Sequence, residues 1–545
     1  MSGLTSEFAG SISRRQSIAL PLAVSVFLSA IYIFARDQQA ISAINGWWGD
    51  ELFSLWASDP PQHFADALTQ RMLPDPTPPL YYSVLYWTRQ LIGDERSATT
   101  FINVGALIAA VLFVLGIAKK TNTLSLGLTG CAAFLLSGPV LRYTAESRAY
   151  PFALALAFVV SWLCASALLV PRRPPVWASF ALLGALSALI HVYSALMCCC
   201  LAAGLFVAGW FWRRSDLRAL SFALAAPAGS LTLVWLTYAH STGSYDDFAW
   251  IPYSPDKIVI AAGEVILNAF PVGADIEWLD FAIHAGRAQL REVVLAAFPS
   301  VIAFGLIVLF FGLSFATKRL RIASVALTIS LVLFFLLPVA ASFHTHIIAG
   351  RYWMIGAPAV TVFLLFFIRS WIDDVTRCAK GWPLKLSAVV ATAAFVALVT
   401  VNGFGAARAF VGLKPAWRGG LLVAPMIRNC PPRSIHVLVL FRKVLGHAIY
   451  GYAFASKMPE STFLPVLRGE IFPGFENEGA NAGPSIGVSC PVLGWAEHVS
   501  AEMIHLDIQT ATDQELLSQL KIDVAPADVL ILRQKKGYVV LRRNS

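Results

Sequence analysis

Long apolar runs with few charges dominate the sequence and restrict the chain to a membrane fold. Eleven of these runs approach the roughly 20 residues that a helix needs to cross the hydrocarbon layer. Only 13% of the 545 residues are charged, whereas a soluble domain has about 25%. We therefore predict a polytopic α-helical membrane protein. The runs are 18–35, 99–118, 124–142, 150–170, 176–190, 192–212, 217–239, 297–316, 321–342, 352–371 and 386–406.

Basic residues between the runs predict the topology, because cytoplasmic loops of membrane proteins accumulate Lys and Arg. If Arg14 and Arg15 are cytoplasmic, every second connection is basic, and an odd number of spans places the C-terminal region outside. Two long loops, about 36–98 and 240–296, also lie outside. The net charge of +9 therefore reflects topology, and we expect no nucleic-acid partner. The basic connections contain Lys119 and Lys120, Arg172 and Arg173, Arg213, Arg214 and Arg218, Lys318, Arg319 and Arg321, and Arg377, Lys380 and Lys385.

Polar composition returns after the last run and predicts a second domain. We divide the chain into a transmembrane module over 1–406 and a small extracytoplasmic α/β domain over 407–545. Strands are expected within 434–441, 527–534 and 537–543, with a helix to about Met458. For Cys430 and Cys490, a disulfide and free thiols are both open interpretations.

A shorter apolar stretch, 79–92, is too short to span and suits an interfacial helix, as does 256–270. We expect the aromatic side chains of the first stretch at the level of the lipid headgroups; they are Tyr81, Tyr82, Tyr86 and Trp87. The preceding proline-rich run 74–79 predicts a rigid loop. A second interpretation is that this loop also shapes the entrance through which a lipid headgroup arrives.

Two adjacent acids, Asp50 and Glu51, follow two tryptophans just after the first run. Ionised carboxylates beside lipid are costly. One interpretation is a helix N-terminus, where acids complement the helix dipole. The other is a carboxylate held over the membrane as a general base, with its neighbour positioning it or the acceptor.

Arginines at outer helix ends contradict the charge rule and therefore need partners. In the short turn after the third run, Arg142 and Arg148 flank Glu146. Arg148 either pairs with Glu146 or reaches the interface; alternatively, the arginines bind a phosphate and Glu146 faces a polar cavity. Arg351, at the start of the tenth run, either reaches the interface or binds a phosphate, and we prefer the phosphate interpretation. His191 is either structural or lines the site, whereas His344 and His346 are interpreted as polar loop residues.

Together these residues resemble the GT-C superfamily of membrane glycosyltransferases. The similarity is greatest to the branch of protein O-mannosyltransferases, aminoarabinose transferases of lipid A and rhizobial lipid A galacturonosyltransferases. It covers roughly residues 15–370. Its motifs are GDE (49–51), TPPLYY (77–82), ESRAY (146–150), HVY (191–193) and GRYW (350–353) with Pro358. Thr77 stands where many relatives have His.

The resemblance implies inverting transfer of a hexose or pentose from a polyprenyl-phosphate carrier to a lipid, glycan or protein acceptor. It further implies location in a bacterial inner membrane, with chemistry on the periplasmic side. Asp50 would be the base with Glu51 beside it, and Arg148, Arg351 and Arg142 would bind the donor phosphate. The site lining would comprise Glu146, Tyr150, His191, Tyr193, Tyr352, Tyr81 and Tyr82. No cofactor is required; a divalent cation held by Asp50 and Glu146 is left open.

Two other functional classes fit a chain of this composition. A secondary transporter or flippase would place ionisable residues near the middle of the bilayer and often contains inverted repeats. The charges here cluster at one end of the spans, which favours an enzyme. A lipid-binding scaffold would leave Asp50, Glu51 and the outer arginines unexplained.

Overall fold

The chain divides into two compact units in the computed structural model. The first comprises Met1–Ile41 and His63–Phe410, and the second comprises Ser42–Gln62 and Val411–Ser545. The described residues are 20–36, 38, 49–60, 62–75, 77–169, 177–241, 318–342, 350–378, 435–439, 463–467, 493–496, 512, 514–515, 518, 529–534 and 537–542. The division at 406 and 407 stays a prediction. The runs 297–316 and 386–406, the stretch 256–270, the helix near Met458, the pair Cys430 and Cys490, and His344 and His346 lie outside the described residues.

The described part of the first unit consists of helices joined by turns. Its helices are α1 (Leu20–Arg36) and, after α2 of the second unit (Gly49–Ala57), α3 (Phe64–Ala67), α4 (Leu80–Ile92), α5 (Glu95–Lys120), α6 (Leu124–Leu135), α7 (Gly138–Tyr143), α8 (Tyr150–Leu169), α9 (Trp177–Ile190), α10 (Val192–Phe211), α11 (Ser215–Ser241), α12 (Lys318–Ser342), α13 (Gly350–Trp353) and α14 (Ala357–Cys378). A π turn, Leu68–Met72, follows α3, and a 3-10 turn, Met354–Gly356, separates α13 from α14.

Five of these helices are long and apolar enough to cross a membrane, namely α5, α8, α10, α11 and α12. Each of the nine predicted runs that falls on described residues contains helix. The total of eleven spans stays a prediction, because two runs lie outside the described part of the chain.

One predicted span is wrong in detail, since the run 124–142 is two helices. Helix α6 ends at Leu135, and α7 begins only at Gly138 with Pro139 in its first turn. Proline has no N–H to donate to the preceding turn and favours the start of a helix, and the break lies at Ser137, whose backbone is extended. The Ser137 hydroxyl donates to the Phe134 carbonyl at 2.7 Å and occupies one of the carbonyls left by α6.

Helix α8 lies at the centre of the first unit and packs against α5, α9, α10 and α14. Its composition explains this position, because it has no charged residue and is apolar on all sides. Trp162 is fully buried and contacts Phe158 and Phe366 edge-on or tilted. By contrast, α11 exposes Phe222, Leu233, Val234 and other large apolar side chains, as expected of a helix that faces lipid.

Glycines allow close contacts between neighbouring helices. A Cβ at Gly204 of α10 would overlap the Ser330 hydroxyl and the Ala326 carbonyl of α12. Small residues at such positions let helix backbones approach in membranes, where packing drives association.

The second unit contains α2 and a five-stranded mixed sheet. Its strands are β1 (Ile435–Val439), β2 (Phe463–Leu467), β3 (Leu493–Ala496), β4 (Val529–Gln534) and β5 (Gly537–Arg542). Their order is β2-β1-β3-β5-β4; β1 is parallel to β2 and β3, and β5 is antiparallel to β3 and β4. Pro465 lies in β2, at the edge of the sheet. An edge strand pairs with a neighbour on one side only, and edge strands are where sheets tolerate a residue without an N–H. Strands β1, β4 and β5 lie within the runs predicted as strands.

The contact at Gly204 predicts a stability difference between two glycines. Gly204→Ala should lower the thermal midpoint of the detergent-solubilised protein, because α10 and α12 must separate; the cost of overpacking is typically about 1–3 kcal/mol. Gly105→Ala in α5 is the matched control, because no described atom lies within 4 Å of a Cβ there. It should raise the midpoint, since alanine is the better helix former. Equal midpoints for the two variants would contradict the packing assigned to Gly204.

The N-cap of α5 predicts a second effect on stability. Asp94 accepts a 2.7 Å hydrogen bond from the Ser97 N–H, and hydrogen bonds from Ser97 lower the pKa of Asp94. A folded-state pKa below the unfolded value stabilises the protein at neutral pH, and this contribution is lost as pH falls through the folded pKa. Asp94→Ala should therefore lower the midpoint at pH 7, by an amount equivalent to about 1 kcal/mol, and the difference should shrink in acid. A difference independent of pH would exclude the ionised cap.

Candidate active site

A buried polar turn, residues 144–149, connects α7 to α8. Thr144, Glu146 and Ser147 are at most 3% exposed. Within the turn, the Glu146 N–H donates to the Tyr143 carbonyl at 3.0 Å, and the Arg148 N–H donates to the Glu146 carbonyl at 2.9 Å. The predicted short outer turn between two spans is thus an ordered segment with its polar groups inside the protein.

Helix α5 holds this turn through two side chains that the sequence analysis overlooked. The Asn103 amide donates to the Thr144 carbonyl at 2.9 Å and to the Glu146 carbonyl at 2.7 Å. One helical turn away, the hydroxyls of Thr99 and Ser147 are 3.1 Å apart. Two polar residues at i and i+4 lie on one helix face, and this spacing in an otherwise apolar span could have identified them.

Four aromatic residues from three separate segments meet beside the turn, and we call them the aromatic cluster. They are Tyr150 at the start of α8, His191 and Tyr193 at the start of α10, and Tyr352 in α13. The His191 ring centre is 5.8 Å from that of Tyr150 and 5.3 Å from that of Tyr352. The Tyr193 and Tyr352 centres are 5.0 Å apart. The structure therefore brings together the ESRAY, HVY and GRYW motifs.

His191 is the junction between α9 and α10 and caps the second of these helices. Its backbone is extended, and its Nδ1 accepts from the Tyr193 N–H at 3.2 Å. Because Nδ1 is an acceptor, the proton of the neutral ring is on Nε2. Of the two interpretations left open for His191, the structural role is observed, and its place in the aromatic cluster is compatible with lining a site as well.

Two arginines lie over tyrosine rings at the ends of the polar turn. The Arg148 guanidinium carbon is 5.7 Å from the Tyr150 ring centre, and that of Arg142 is 5.4 Å from the Tyr143 ring centre. The Tyr143 and Tyr150 centres are themselves 4.7 Å apart. Stacking of this kind stabilises a guanidinium away from bulk water.

The expectation that Tyr81, Tyr82 and Tyr86 lie at the lipid headgroups is wrong. All three are buried in the protein, at most 2% exposed, and of the four aromatic residues only Trp87 is exposed. Tyr81 contacts Phe152 of α8 edge-on at 5.5 Å, two residues from Tyr150. Helix α4 packs against α5 and α9, so burial against protein replaces burial at an interface. Tyr81 and Tyr82 thus belong to the side of the unit that contains the aromatic cluster.

The remaining predicted residues are placed only in part. Asp50 and Glu51 are in the first turn of α2, as the helix-dipole interpretation expects, and Glu51 is fully buried. Arg351 is in α13 next to Tyr352. The side chains of Asp50 and Arg351 lie outside the described residues. Within the described ranges, no three His, Cys, Asp or Glu side chains lie together in a way that could hold a metal ion, and cation binding at Asp50 and Glu146 stays a prediction.

No protein-family model matches the sequence, and no curated protein matches it. Solved structures do. ArnT from Cupriavidus metallidurans bound to undecaprenyl phosphate aligns over 96% of this chain and 98% of its own, at 14% identity and a TM-score of 0.50. The apo oligosaccharyltransferase of Archaeoglobus fulgidus aligns over 87% of this chain and 69% of its own, at 11% identity and a TM-score of 0.52.

The chain thus has the fold of the GT-C membrane glycosyltransferases, and its described part contains five helices long and apolar enough to cross a membrane. The resemblance inferred from the motifs is thereby confirmed at the level of the fold. At this identity the likeness extends to the fold alone.

The cap formed by His191 predicts a difference between two substitutions. His191→Asn replaces Nδ1 with an oxygen that can still accept from the Tyr193 N–H, whereas His191→Ala removes the cap; both lose the ring contacts. The thermal midpoint of the Ala variant should be lower than that of the Asn variant, by the equivalent of about 1 kcal/mol. Identical midpoints would show that the cap does not stabilise α10.

Proposed function

We propose that the chain is an inverting glycosyltransferase that moves a monosaccharide, a hexose or pentose, from a polyprenyl-phosphate carrier to a lipid, glycan or protein acceptor. The observation that supports this most strongly is the meeting of Arg148, the aromatic cluster and the turn containing Glu146 at one end of the helices. A cation, aromatic faces and a carboxylate at one end of a membrane protein suit a substrate that combines a phosphate, a sugar and a lipid.

In the proposed reaction, the acceptor hydroxyl oxygen attacks the anomeric carbon while the bond from that carbon to the phosphate oxygen breaks. Asp50 takes the hydroxyl proton, and Glu51 positions Asp50 or the acceptor. Attack from the face opposite the leaving phosphate inverts the anomeric configuration. The phosphate leaves with the bonding electron pair, so its negative charge grows in the transition state.

Arg148, Arg351 and Arg142 are proposed to stabilise that growing charge. Guanidinium groups form strong, charge-assisted hydrogen bonds to phosphate oxygens, and cations aimed at developing charge lower the barrier more than they tighten ground-state binding. The contact between Arg148 and Tyr150 supports this role, because a guanidinium that lies over an aromatic ring is held beside the turn. Glu146, the aromatic cluster, Tyr81 and Tyr82 are proposed to line the sugar and carrier path.

The solved relatives support the proposed substrates. One of them, ArnT, is described as bound to undecaprenyl phosphate, a polyprenyl phosphate, and the other is an oligosaccharyltransferase. By analogy, we propose a polyprenyl-linked donor for this chain. We further propose eleven spans, a cytoplasmic N-terminus in a bacterial inner membrane, periplasmic chemistry, and a periplasmic α/β domain over 407–545.

The distribution of charge favours this function over transport. In the five long apolar helices, the charged residues lie within the terminal turns, as with Lys119 and Lys120 in α5 and Arg321 in α12. Transporters place Asp, Glu, Lys, Arg or His near the middle of their helices, and the central turns of these five helices contain none of these residues.

The proposed function is tested by sugar transfer from a panel of radiolabelled polyprenyl-phosphate monosaccharides, with purified protein in detergent and an acceptor extract. We expect the wild type to consume one donor. Asp50→Asn should reduce turnover about 10²–10⁴-fold by removing the base. Arg148→Gln should reduce it about 10²–10³-fold by removing the guanidinium that stabilises the leaving phosphate.

Lys119→Gln is the matched control, because it makes the same change of charge at the opposite end of α5 and should leave turnover unchanged. A wild type that is inert with every donor and a competent acceptor extract would overturn the proposal. Equal turnover in the wild type, Asp50→Asn and Arg148→Gln would overturn the assigned roles.

A further inference from the structure

Thr99 and Asn103 are buried polar residues in the spanning helix α5. Thr99 is 1% exposed and Asn103 is fully buried. Both lie on the face of α5 that meets the turn 144–149, and the hydrogen bonds described above join them to that turn at Thr144, Glu146 and Ser147.

The chemistry of the partners fixes the orientation of the Asn103 side chain. Both of its hydrogen bonds end on backbone carbonyls, which can only accept, so the NH₂ group and not the oxygen must face the turn. An acid of the same shape could not make these bonds when ionised.

The Glu146 carbonyl is the point at which this contact reaches the site. It accepts from Asn103 Nδ2 at 2.7 Å and from the Arg148 N–H at 2.9 Å. A single carbonyl thus joins the spanning helix to the backbones of both charged residues of the turn. Thr99 secures the intervening residue through the Ser147 hydroxyl.

We propose that Asn103 and Thr99 are positioning residues for sugar transfer, acting through the backbone of the turn on the carboxylate of Glu146 and the guanidinium of Arg148. The proposal rests on the proposed function. Neither residue touches substrate. Each fixes the position of the backbone that carries the Glu146 and Arg148 side chains.

A positioning role, rather than a mainly structural one, follows from the relative size of the two effects. Interhelical hydrogen bonds in membrane proteins are individually weak stabilisers, and α5 also packs against α4, α6 and α8. Removal of one bond should therefore leave the fold intact. A shift of about 1 Å in a reacting group, by contrast, can reduce the rate about 10²-fold.

The test compares kcat, the donor KM and the thermal midpoint of the full-length protein for Thr99→Val, Thr99→Ser and Asn103→Asp. Thr99→Val keeps the shape but loses the hydroxyl, and it should lower kcat about 10-fold with the donor KM within about 3-fold of the wild type. Thr99→Ser keeps the hydroxyl and should restore kcat. Asn103→Asp should lower kcat about 10²-fold.

The control variant is Arg214→Gln. Arg214 donates to the Ala167 carbonyl at 3.2 Å near the opposite end of α8 and pairs with Asp216 at 2.6 Å. The substitution therefore removes a tertiary hydrogen bond and a local ion pair far from the turn. It should leave kcat unchanged. A loss of kcat in Arg214→Gln equal to that in Thr99→Val would mean that any loosening of the unit lowers turnover, and it would overturn the proposal.

A double-mutant cycle identifies the residue through which Asn103 acts. If Asn103 acts partly through Glu146, Asn103→Asp should reduce kcat less in a Glu146→Gln background than in the wild type. Fully additive losses would overturn the link to Glu146, and a wild-type kcat in both Thr99→Val and Asn103→Asp would overturn the positioning role. An inert wild type, by comparison, overturns the proposed function and the positioning role with it.

Discussion

Every backbone N–H and carbonyl inside a lipid bilayer needs a hydrogen-bond partner supplied by the protein, since no water competes for it. Helices meet this requirement automatically, whereas a turn does not. In this chain, the turn 144–149 interrupts the helical segments and leaves carbonyls among apolar side chains. The Asn103 amide supplies two donors and the turn's own N–H groups supply others. The backbone conformation of the turn and the location of its charged residues both depend on this pairing.

The same requirement accounts for the other interruption beside the aromatic cluster. Between α9 and α10 the chain leaves helical geometry for one residue, His191, whose ring accepts from the Tyr193 N–H in the first turn of the next helix. A residue that caps a helix must have its side chain folded back on the backbone, and this holds the ring toward Tyr150 and Tyr352. The local solution for a helix end therefore also sets the geometry of the cluster. Structural and functional interpretations of such a residue need not exclude each other.

Much of the fold follows from the sequence because the bilayer reduces the choices. Runs of apolar residues became helices in each case that the described residues cover, and the motifs around Tyr150, His191 and Tyr352 converge. The sequence-based predictions are wrong where local chain geometry or packing between helices, rather than hydropathy, determines the structure. Pro139 divides a run whose hydropathy alone looks continuous. Tyr81, Tyr82 and Tyr86 are buried by neighbouring helices, and an aromatic face packed on protein has the same sequence as one placed at an interface. Asn103 escaped notice because one amide hardly changes the hydropathy of a 26-residue helix.

The length of helix α5 gives the depth of the turn in the membrane. At 1.5 Å per residue, Asn103 lies about 26 Å along the axis from Lys120, whose charge keeps that end of the helix at the membrane boundary. The hydrocarbon layer is about 30 Å thick, so an upright α5 places Asn103, and the turn beside it, within about one helical turn of the opposite boundary. For the proposed lipid-linked donor, this depth means that its tail stays in the bilayer while its phosphate approaches Arg148 by lateral diffusion. Donor and protein would then meet by diffusion in two dimensions.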